Sequence, residues 1–312
     1  MIKTVVSEDL PVYERLLIKK NVVGSKKSGS KRVCIVTGIH GDELEGQYVC
    51  FELLRRLNSQ PSELHGLVEV YPAINPLGVD SVTRGIPTFD LDMNRIFPGS
   101  PDGHMIENVA HQVIEDLRGA DLVIDIHSSN IYLYEVPQAR ISNLYADKLF
   151  PMASKLNLDF IWTHEAATVL EATIAHSLNS IGTPTVVVEM GIGMKITRQY
   201  GDRLVDGILN LIADMGMWTG SRPLSVHAPI DSKTGDVSFI NASRSGVIIN
   251  PIQHGTTVHK DDTICEIVSS IDGSVLETVK SPVDGYLFTV RSYPVVYEGS
   301  LIARIFHNNE AD

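Results

Sequence analysis

Three short apolar runs along the chain, at 33–36, 121–127 and 185–189, predict buried strands. The second run ends at His127 and the third ends at Glu189, so that each predicted strand delivers an ionisable side chain at its carboxyl end. In open α/β sheets the carboxyl ends of neighbouring parallel strands meet at one edge, where ligands bind. These positions are therefore the first candidates for a functional site.

Between the runs, apolar residues recur with the spacing of an α-helix. The helical patterns lie at 43–57, 105–117, 141–156, 168–180 and 197–215, and further short strands are predicted at 67–73 and 159–162. Strands that alternate with helices predict an α/β fold, a mostly parallel mixed sheet covered by helices on both faces. Residues 1–30 are predicted to form an edge segment and a loop. The aperiodic segment 79–102 is long for a loop in a compact domain, and such loops are usually functional.

From about residue 221 the helical periodicity disappears and an internal repeat takes over. Gly246 and the residues after it are echoed from Gly285, and two further short β-like runs repeat in the same order. Two similar halves of this size predict a small pseudo-symmetric, all-β sandwich that resembles the biotinyl/lipoyl carrier fold. The turn between the halves, 269–275, lacks the lysine to which a working carrier attaches its cofactor. We therefore predict two domains, an α/β domain at 1–220 that carries the candidate site and a non-carrier β domain at 221–312.

Composition and charge narrow the classes of function. The chain has 312 residues, of which 43% are hydrophobic and 21% charged, and no apolar run approaches the roughly 20 residues that span a bilayer. A net charge of −12 argues against general binding to nucleic acid or to anionic membranes, so an anionic substrate would need a few local arginines. The amino terminus lacks the apolar core of a signal peptide, and the three widely spaced cysteines predict buried thiols in a cytoplasmic protein.

The turn at 38–43, directly after the first predicted strand, carries the most specific chemistry. Two glycines flank His40 and allow a sharp turn, and Glu43 follows three residues later. Alone, this spacing is more often a capping glutamate beside an incidental histidine, and strand-end residues such as His127 are often simply solvated. Together, His40, Glu43 and His127 supply the three protein ligands of a catalytic zinc and leave a fourth position for water. Glu189 is then a base that does not bind the metal.

Four motifs now carry a family resemblance. They are Gly38-Ile39-His40-Gly41-Asp42-Glu43, Asp92-Met93-Asn94-Arg95-Ile96-Phe97-Pro98-Gly99, Asp125-Ile126-His127 and Val188-Glu189-Met190-Gly191. The chain resembles the succinylglutamate desuccinylase/aspartoacylase family, in the zinc carboxypeptidase-like superfamily. The resemblance covers nearly the whole chain, because many bacterial members carry a similar β domain at the carboxyl end.

The resemblance implies a role for each matched residue. His40, Glu43 and His127 would bind one Zn²⁺ per chain, and Glu189 would be the general base. Asn94 and Arg95 match the pair that holds a substrate carboxylate. Arg84 matches the residue that polarises the scissile carbonyl. The alternative for Arg84 and Arg95 is a surface salt bridge to Asp90 or Asp92.

Some positions refine the expectation. Asp125 points to the same face as His127, where it would orient that ligand or merely cap the strand end. Aspartoacylases carry a second anchoring arginine ten residues before the catalytic glutamate, and Asn179 occupies that position here. The difference disfavours a dicarboxylic product held by two arginines and favours an N-acyl amino acid with a single carboxylate. His164 and His176 have no paired ligand spacing and are predicted to lie on the surface.

The sequence thus predicts a zinc-dependent amidohydrolase that removes an acyl group from an amino acid or a similar amine. A metallocarboxypeptidase that acts on a peptide end would use the same residues and is the nearest alternative. A non-enzymatic carrier or binding module built around the β domain is a third, disfavoured by the missing lysine. The expected partner is a small molecule, and the sequence leaves open whether the chain forms a homo-oligomer.

Overall fold

The computed structural model describes residues 1–25, 29–165, 171–223 and 227–308. The helices that it describes are α1 (Glu45–Ser59), α2 (Pro76–Ser81), α3 (Met105–Leu117), α4 (Ala146–Ala153), α5 (Ile174–Ser180) and α6 (Arg198–Asp214). The first eight strands are β1 (Ile2–Asp9), β2 (Arg15–Gly24), β3 (Arg32–Thr37), β4 (Leu67–Tyr71), β5 (Leu122–Ser128), β6 (Leu133–Ser142), β7 (Phe160–His164) and β8 (Thr185–Gly191). The remaining strands are β9 (Ile230–Asp231), β10 (Gly235–Asn241), β11 (Gly246–Ile249), β12 (Thr256–Val258), β13 (Thr263–Val268), β14 (Val275–Lys280), β15 (Gly285–Arg291), β16 (Val295–Val296) and β17 (Leu301–Asn308).

The centre of the fold is a mixed sheet in which β4, β3, β5 and β8 are neighbours and run parallel. On one side β2 and β1 extend it as antiparallel strands, with β1 at the edge. On the other side β6 pairs antiparallel with β8. This confirms the predicted α/β fold with a large mixed sheet.

Helices cover both faces of the parallel strands. In β3, Val33 and Ile35 belong to one buried apolar cluster, which includes residues of α1 and α6. Cys34 and Val36 belong to a second cluster, which includes residues of α3 and α5. Successive residues of a strand point to opposite faces, so β3 must be apolar throughout to pack on both sides. The three cysteines are buried and free, as the sequence predicts.

The carboxyl-terminal strands form two antiparallel layers of similar design. One layer has the order β14-β13-β11-β16, and the other contains β12, β15, β17 and β10. The internal repeat maps onto these layers, because β11 and β15 start at the two repeated glycines, Gly246 and Gly285. Both strands hold the same place in their layer, since β11 lies between β16 and β13 while β15 lies between β12 and β17.

The second layer is continuous with the central sheet, a connection that the sequence does not predict. Strand β15 pairs with the beginning of β6, where Tyr134 lies opposite Val290 and Glu135 lies opposite Thr289. A single sheet of 13 strands therefore crosses the predicted boundary between residues 220 and 221 within the described part of the chain. The division into domains at 1–220 and 221–312 stays a prediction.

Other predicted elements differ from the structure in their bounds. The helix predicted at 105–117 coincides with α3, and that predicted at 197–215 agrees with α6 within one residue at each end. The helix predicted at 141–156 is wrong at its start, because β6 continues to Ser142 and α4 begins at Ala146. The helix predicted at 168–180 is shorter, since α5 begins at Ile174, and residues 168–170 lie outside the described residues. No helix that the structure describes is long and apolar enough to cross a membrane.

Candidate active site

The turn between β3 and α1 brings His40 and Glu43 to the carboxyl edge of the sheet. Gly38 has a φ of +66°, a conformation that side chains with a Cβ rarely adopt. A Cβ on Gly41 would lie only 1.9 Å from the carbonyl carbon of Gly78, so this position has room for glycine alone. Both glycines that flank His40 are therefore required by the path of the backbone.

His40, Glu43 and His127 form a buried cluster whose ligand atoms all lie within 4.8 Å of one another. Nδ1 of His40 lies 2.8 Å from Oε1 of Glu43, and Nδ1 of His127 lies 2.8 Å from Oε2 of the same carboxylate. The cluster forms because β3 and β5 are parallel neighbours, so the turn after β3 lies beside the end of β5. Ligands from strand ends 84 residues apart thus meet at one point.

The other nitrogen of each imidazole faces an acid. Nε2 of His40 lies 3.0 Å from Oδ1 of Asp92, and Nε2 of His127 lies 3.1 Å from Oδ2 of Asp125. A carboxylate on the outer nitrogen keeps the proton there and leaves the inner Nδ1 lone pair for a metal, an arrangement common to zinc-binding histidines. His40 Nδ1 is buried and, within the described part of the chain, makes no hydrogen bond of good geometry despite its nearness to Glu43. The donor set and this orphaned nitrogen fit a zinc ion.

The pKa shifts of the cluster are also those expected of a cation-binding site. Burial opposes charge on His127, but Asp125 and Glu43 outweigh it and raise the pKa of the imidazole well above 6.5. Burial would also raise the pKa of Glu43, yet His127 and His40 bring that pKa down to about 2. The acids thus hold positive charge at the imidazoles. A divalent cation would compete with protons for the same lone pairs.

Glu189 lies beside His127, its partner in the parallel pairing of β5 and β8. Its Oε1 accepts a hydrogen bond of 3.2 Å from Nη1 of Arg140, on β6. Burial raises the pKa of Glu189, although Arg140 partly offsets the effect. A carboxylate with a raised pKa can both take up and release a proton near neutral pH, as a general base requires.

Arg84 lies in the long loop at 79–102 and contacts two acids of the candidate site. Its Nη1 lies 3.0 Å from Oε1 of Glu43, and its Nη2 lies 3.3 Å from Oδ2 of Asp92. The alternative of a salt bridge with Asp92 is therefore present in the structure. The same contact holds the guanidinium beside the cluster, where 43% of the side chain remains exposed.

Asn94 and Arg95 lie in a short 3-10 turn of the same loop. Both side chains make hydrogen bonds to the backbone, and both also line the cavity. Asn94 Oδ1 accepts a hydrogen bond of 3.0 Å from the backbone N–H of Ile174, at the start of α5. Arg95 donates from Nη1 to the backbone oxygen of Asn94 at 2.8 Å. Within the described residues Arg95 has no ion pair, in contrast to Arg84.

All seven predicted site residues line one cavity of about 270 Å³. They are His40, Glu43, Arg84, Asn94, Arg95, His127 and Glu189. Asn179 also lines the cavity, but its amide is engaged by the backbone of Thr185, which it contacts through both Oδ1 and Nδ2 at 2.9 Å. The position therefore offers no cationic anchor for a second carboxylate.

Several cavity residues were not found from the sequence. His164 and His176 are half-buried and line the cavity, a location that the sequence did not predict. Glu135, Arg140 and Arg304 line it as well and were not identified. The only signal for these three is a charged residue within an apolar stretch, at 133–141 and at 301–306. That signal does not tell which face or which partner such a residue has.

Comparison with known proteins identifies the family and the fold. Residues 29–215 match the model of the succinylglutamate desuccinylase/aspartoacylase catalytic domain. An N-alpha-acetyl-L-2,4-diaminobutyric acid deacetylase of Halomonas elongata is 30% identical over 139 residues, which cover 44% of this chain and 40% of that protein. The match thus spans about two fifths of the length of this curated relative.

Solved structures share the fold over nearly the whole chain. A succinylglutamate desuccinylase/aspartoacylase from Rhodobacter sphaeroides is 22% identical with a TM-score of 0.80, covering 99% of this chain and 96% of that one. The product-bound ectoine utilization protein EutE (DoeB) from Ruegeria pomeroyi is 21% identical with a TM-score of 0.78, covering 96% and 92%. Because the catalytic-domain model matches more than half of the sequence, the chain belongs to the succinylglutamate desuccinylase/aspartoacylase family.

Proposed function

We propose that this protein is a zinc-dependent hydrolase that cleaves the amide bond of an N-acyl amino acid or a related N-acyl amine. The observation that carries the proposal is the meeting of two groups of side chains in one cavity. The first group is the His40, Glu43 and His127 cluster, and the second is Glu189 together with Arg95. A metal site, a proton acceptor and a carboxylate-binding guanidinium are the parts that such a reaction needs.

His40, Glu43 and His127 would hold one zinc ion per chain. Zinc, when bound, supplies a Lewis acid and lowers the pKa of a bound water from about 16 to about 7. Asp92 and Asp125 would hold the two imidazoles with their inner nitrogens towards the ion. No further protein ligand is needed, because catalytic zinc sites keep one position open.

Glu189 would act as the general base. It would take the proton of the attacking water and pass it to the amide nitrogen as the carbon–nitrogen bond breaks, which yields a carboxylic acid and an amine. Arg84 would stabilise the negative charge that develops on the carbonyl oxygen. Its present contacts with Glu43 and Asp92 place it beside the metal cluster, on the side of the long loop.

Asn94 and Arg95 would bind the carboxylate of the substrate. Arg95 is free of ion pairs within the described residues, so its planar guanidinium can donate two parallel hydrogen bonds to a carboxylate. Asn179 cannot supply a second charge, and this supports a substrate with a single carboxylate. The name of the Halomonas elongata relative, an N-alpha-acetyl-L-2,4-diaminobutyric acid deacetylase, makes N-acetyl amino acids the first compounds to try.

A panel of substrates would test the proposal. Zinc-loaded protein would be offered N-acetyl, N-succinyl and N-formyl amino acids together with short peptides, and release of the free amine would be measured. We expect turnover of at least one N-acyl amino acid and loss of turnover in Glu189→Gln. Cleavage of peptides alone would instead identify a carboxypeptidase, and no cleavage of any amide would contradict the proposal.

A further inference from the structure

A chain of alternating charges leads from Glu189 to the last strand of the protein. Arg140 donates from Nη1 to Glu189 Oε1 at 3.2 Å and from Nη2 to Glu135 Oε2 at 2.8 Å. Arg304 donates from Nη1 to Glu135 Oε1 at 2.5 Å. All four side chains line the cavity, although they come from β8, β6 and β17.

The pairing of three strands brings the outer part of this chain together. Glu135 on β6 lies opposite Thr289 on β15, and Thr289 lies opposite Arg304 on β17. The Thr289 hydroxyl also donates to Glu135 Oε1, at 3.3 Å. Residues in register across neighbouring strands point to the same face of a sheet, so Glu135 and Arg304 share a face and their long side chains can meet across Thr289.

Glu135, in the middle of this chain of charges, is buried and therefore depends on its charged partners. Only 1% of the Glu135 side chain is exposed, and a buried carboxylate is stable only when charged or polar groups surround it. Arg140 and Arg304 provide those groups from opposite sides. Both guanidiniums also lie near the Trp162 ring, at 5.9 and 5.3 Å from its centroid, which favours a defined orientation for each.

We propose that Arg304 is a positioning residue for Glu189, acting through Glu135 and Arg140. This inference rests on the proposed function, in which Glu189 is the general base. With Arg304 in place, Glu135 is satisfied from two sides and Arg140 can share its guanidinium with Glu189. Without Arg304, Glu135 attracts Arg140 alone, and Arg140 loses its contact with Glu189. Strand β17, which lies outside the matched catalytic region 29–215, thereby becomes part of the catalytic apparatus.

Substitution of Arg304 would test the inference by kinetics. In Arg304→Met we expect kcat to fall about tenfold to 100-fold, because misplacement of a catalytic group by about 1 Å can cost about 10²-fold. KM and zinc content should stay close to those of the parent, since Arg304 touches neither Arg95 nor the metal cluster. Arg304→Lys keeps the charge opposite Glu135 and should recover part of kcat. It also serves as the test variant if Arg304→Met does not fold.

Arg291 offers a matched control on neighbouring β15. Its guanidinium donates to the backbone oxygens of Tyr293, Val295 and Leu301 and has no part in the charge chain. Arg291→Met should therefore keep the parent kcat even if it lowers the melting temperature. Equal kcat in Arg304→Met and the parent, or an equal fall of kcat in the Arg291 and Arg304 variants, would overturn the inference.

Crystal structures of the parent and of Arg304→Met, or of Arg304→Lys if the first variant does not fold, provide a readout that does not need activity. We expect Arg140 to turn away from Glu189 in the Met variant and to stay closer to its parent position in the Lys variant. An unchanged contact between Arg140 and Glu189 in the Met variant would overturn the inference. If only the Lys variant folds, loss of that contact despite the charge kept opposite Glu135 would overturn it. If the parent cleaves no amide, the proposed function fails, while these structures still decide whether Arg304 holds Arg140 against Glu189.

Discussion

Asp92 and His40 are joined by a contact of 3.0 Å between Oδ1 and Nε2, although they lie 52 residues apart in the sequence. The same Oδ1 accepts the backbone N–H of Asn94 at 2.9 Å. One carboxylate therefore orients a predicted metal ligand and also fixes the turn that carries Asn94 and Arg95. Asp92 therefore connects the proposed metal site to the proposed carboxylate-binding turn.

Removal of this carboxylate should weaken metal binding. We expect Asp92→Asn to lower zinc affinity about tenfold to 100-fold, as is typical when an acid that orients a metal-bound histidine is lost. Metal content after dialysis against a graded chelator would measure the change. Asp90→Asn, in the same loop, is the control and should bind zinc like the parent. His127→Ala removes a ligand outright and should lose more zinc than Asp92→Asn, so the reverse order would contradict the ligand assignment.

Glu189→Gln should distinguish the role of a general base from that of a metal ligand, because the two roles predict different zinc contents. The variant should keep about one zinc per chain, because Glu189 is not among the three clustered ligands. Its kcat should fall about 10²- to 10⁴-fold, the usual contribution of a positioned proton acceptor. Elemental analysis and kinetics on the same preparation would decide. Loss of zinc along with activity would make Glu189 a ligand instead.

Arg95→Lys should lower kcat/KM more for substrates with a free carboxylate than for substrates in which that carboxylate is an amide. An ammonium cannot reproduce the two parallel hydrogen bonds that a guanidinium makes with a carboxylate. For the best N-acyl amino acid, kcat/KM of the variant should fall, whereas for the same compound with its carboxylate converted to an amide the fall should be much smaller. The parent should already use the amide poorly. Equal losses on both compounds would show that Arg95 supports the loop or the transition state rather than the carboxylate.

His254 should make stability depend on pH. Its Nε2 lies 2.9 Å from the hydroxyl of Tyr200, on α6, and only 8% of the residue is exposed. Burial lowers the pKa of His254, although Asp159 and Glu135 partly offset it. The unfolded chain then binds the proton more readily than the folded one. This contribution to stability is complete above about pH 6.5 and is lost as the pH falls below that value.

Urea unfolding at about pH 7.5 and about pH 5.5 would measure this dependence. The free energy of unfolding of the parent should be lower at the acidic pH, and the difference should shrink in His254→Gln. The control is His259→Gln, which alters an exposed imidazole directly after β12. A difference that is unchanged in His254→Gln would assign the pH dependence to other groups.

The sequence predicts much of the site because its ligands stand at the ends of apolar runs. An ionisable residue at the end of a buried parallel strand, as at His127 and Glu189, lies at the carboxyl edge of the sheet. Parallel neighbours then bring such residues together without any detailed knowledge of packing. For the same reason the helices predicted at 105–117 and 197–215 agree with the structure, since each has a long amphipathic pattern.

Strand β6 escapes the same reasoning. Its sequence neither alternates cleanly nor forms an apolar run, because it contains the buried Glu135 and the half-buried Arg140, which form an ion pair. Pro137 lies at the irregularity in its pairing with β8, and a proline within a run argues against a strand. The contact between Glu135 and Arg304 joins residues 169 positions apart. It depends on the pairing of β6 with β15 and of β15 with β17, which no local pattern predicts.

The pairing of β6 with β15 has a consequence for truncated forms of the protein. A chain cut near residue 220 would leave Leu133, Tyr134 and Glu135 with unpaired N–H and C=O groups at an open sheet margin. Open margins recruit strands from other molecules, so such a fragment should self-associate rather than persist as a soluble monomer. The carboxyl-terminal strands thus cover an edge that would otherwise aggregate. Light scattering of the truncated chain would detect the resulting self-association. A relative without them would need another cover for the same three residues.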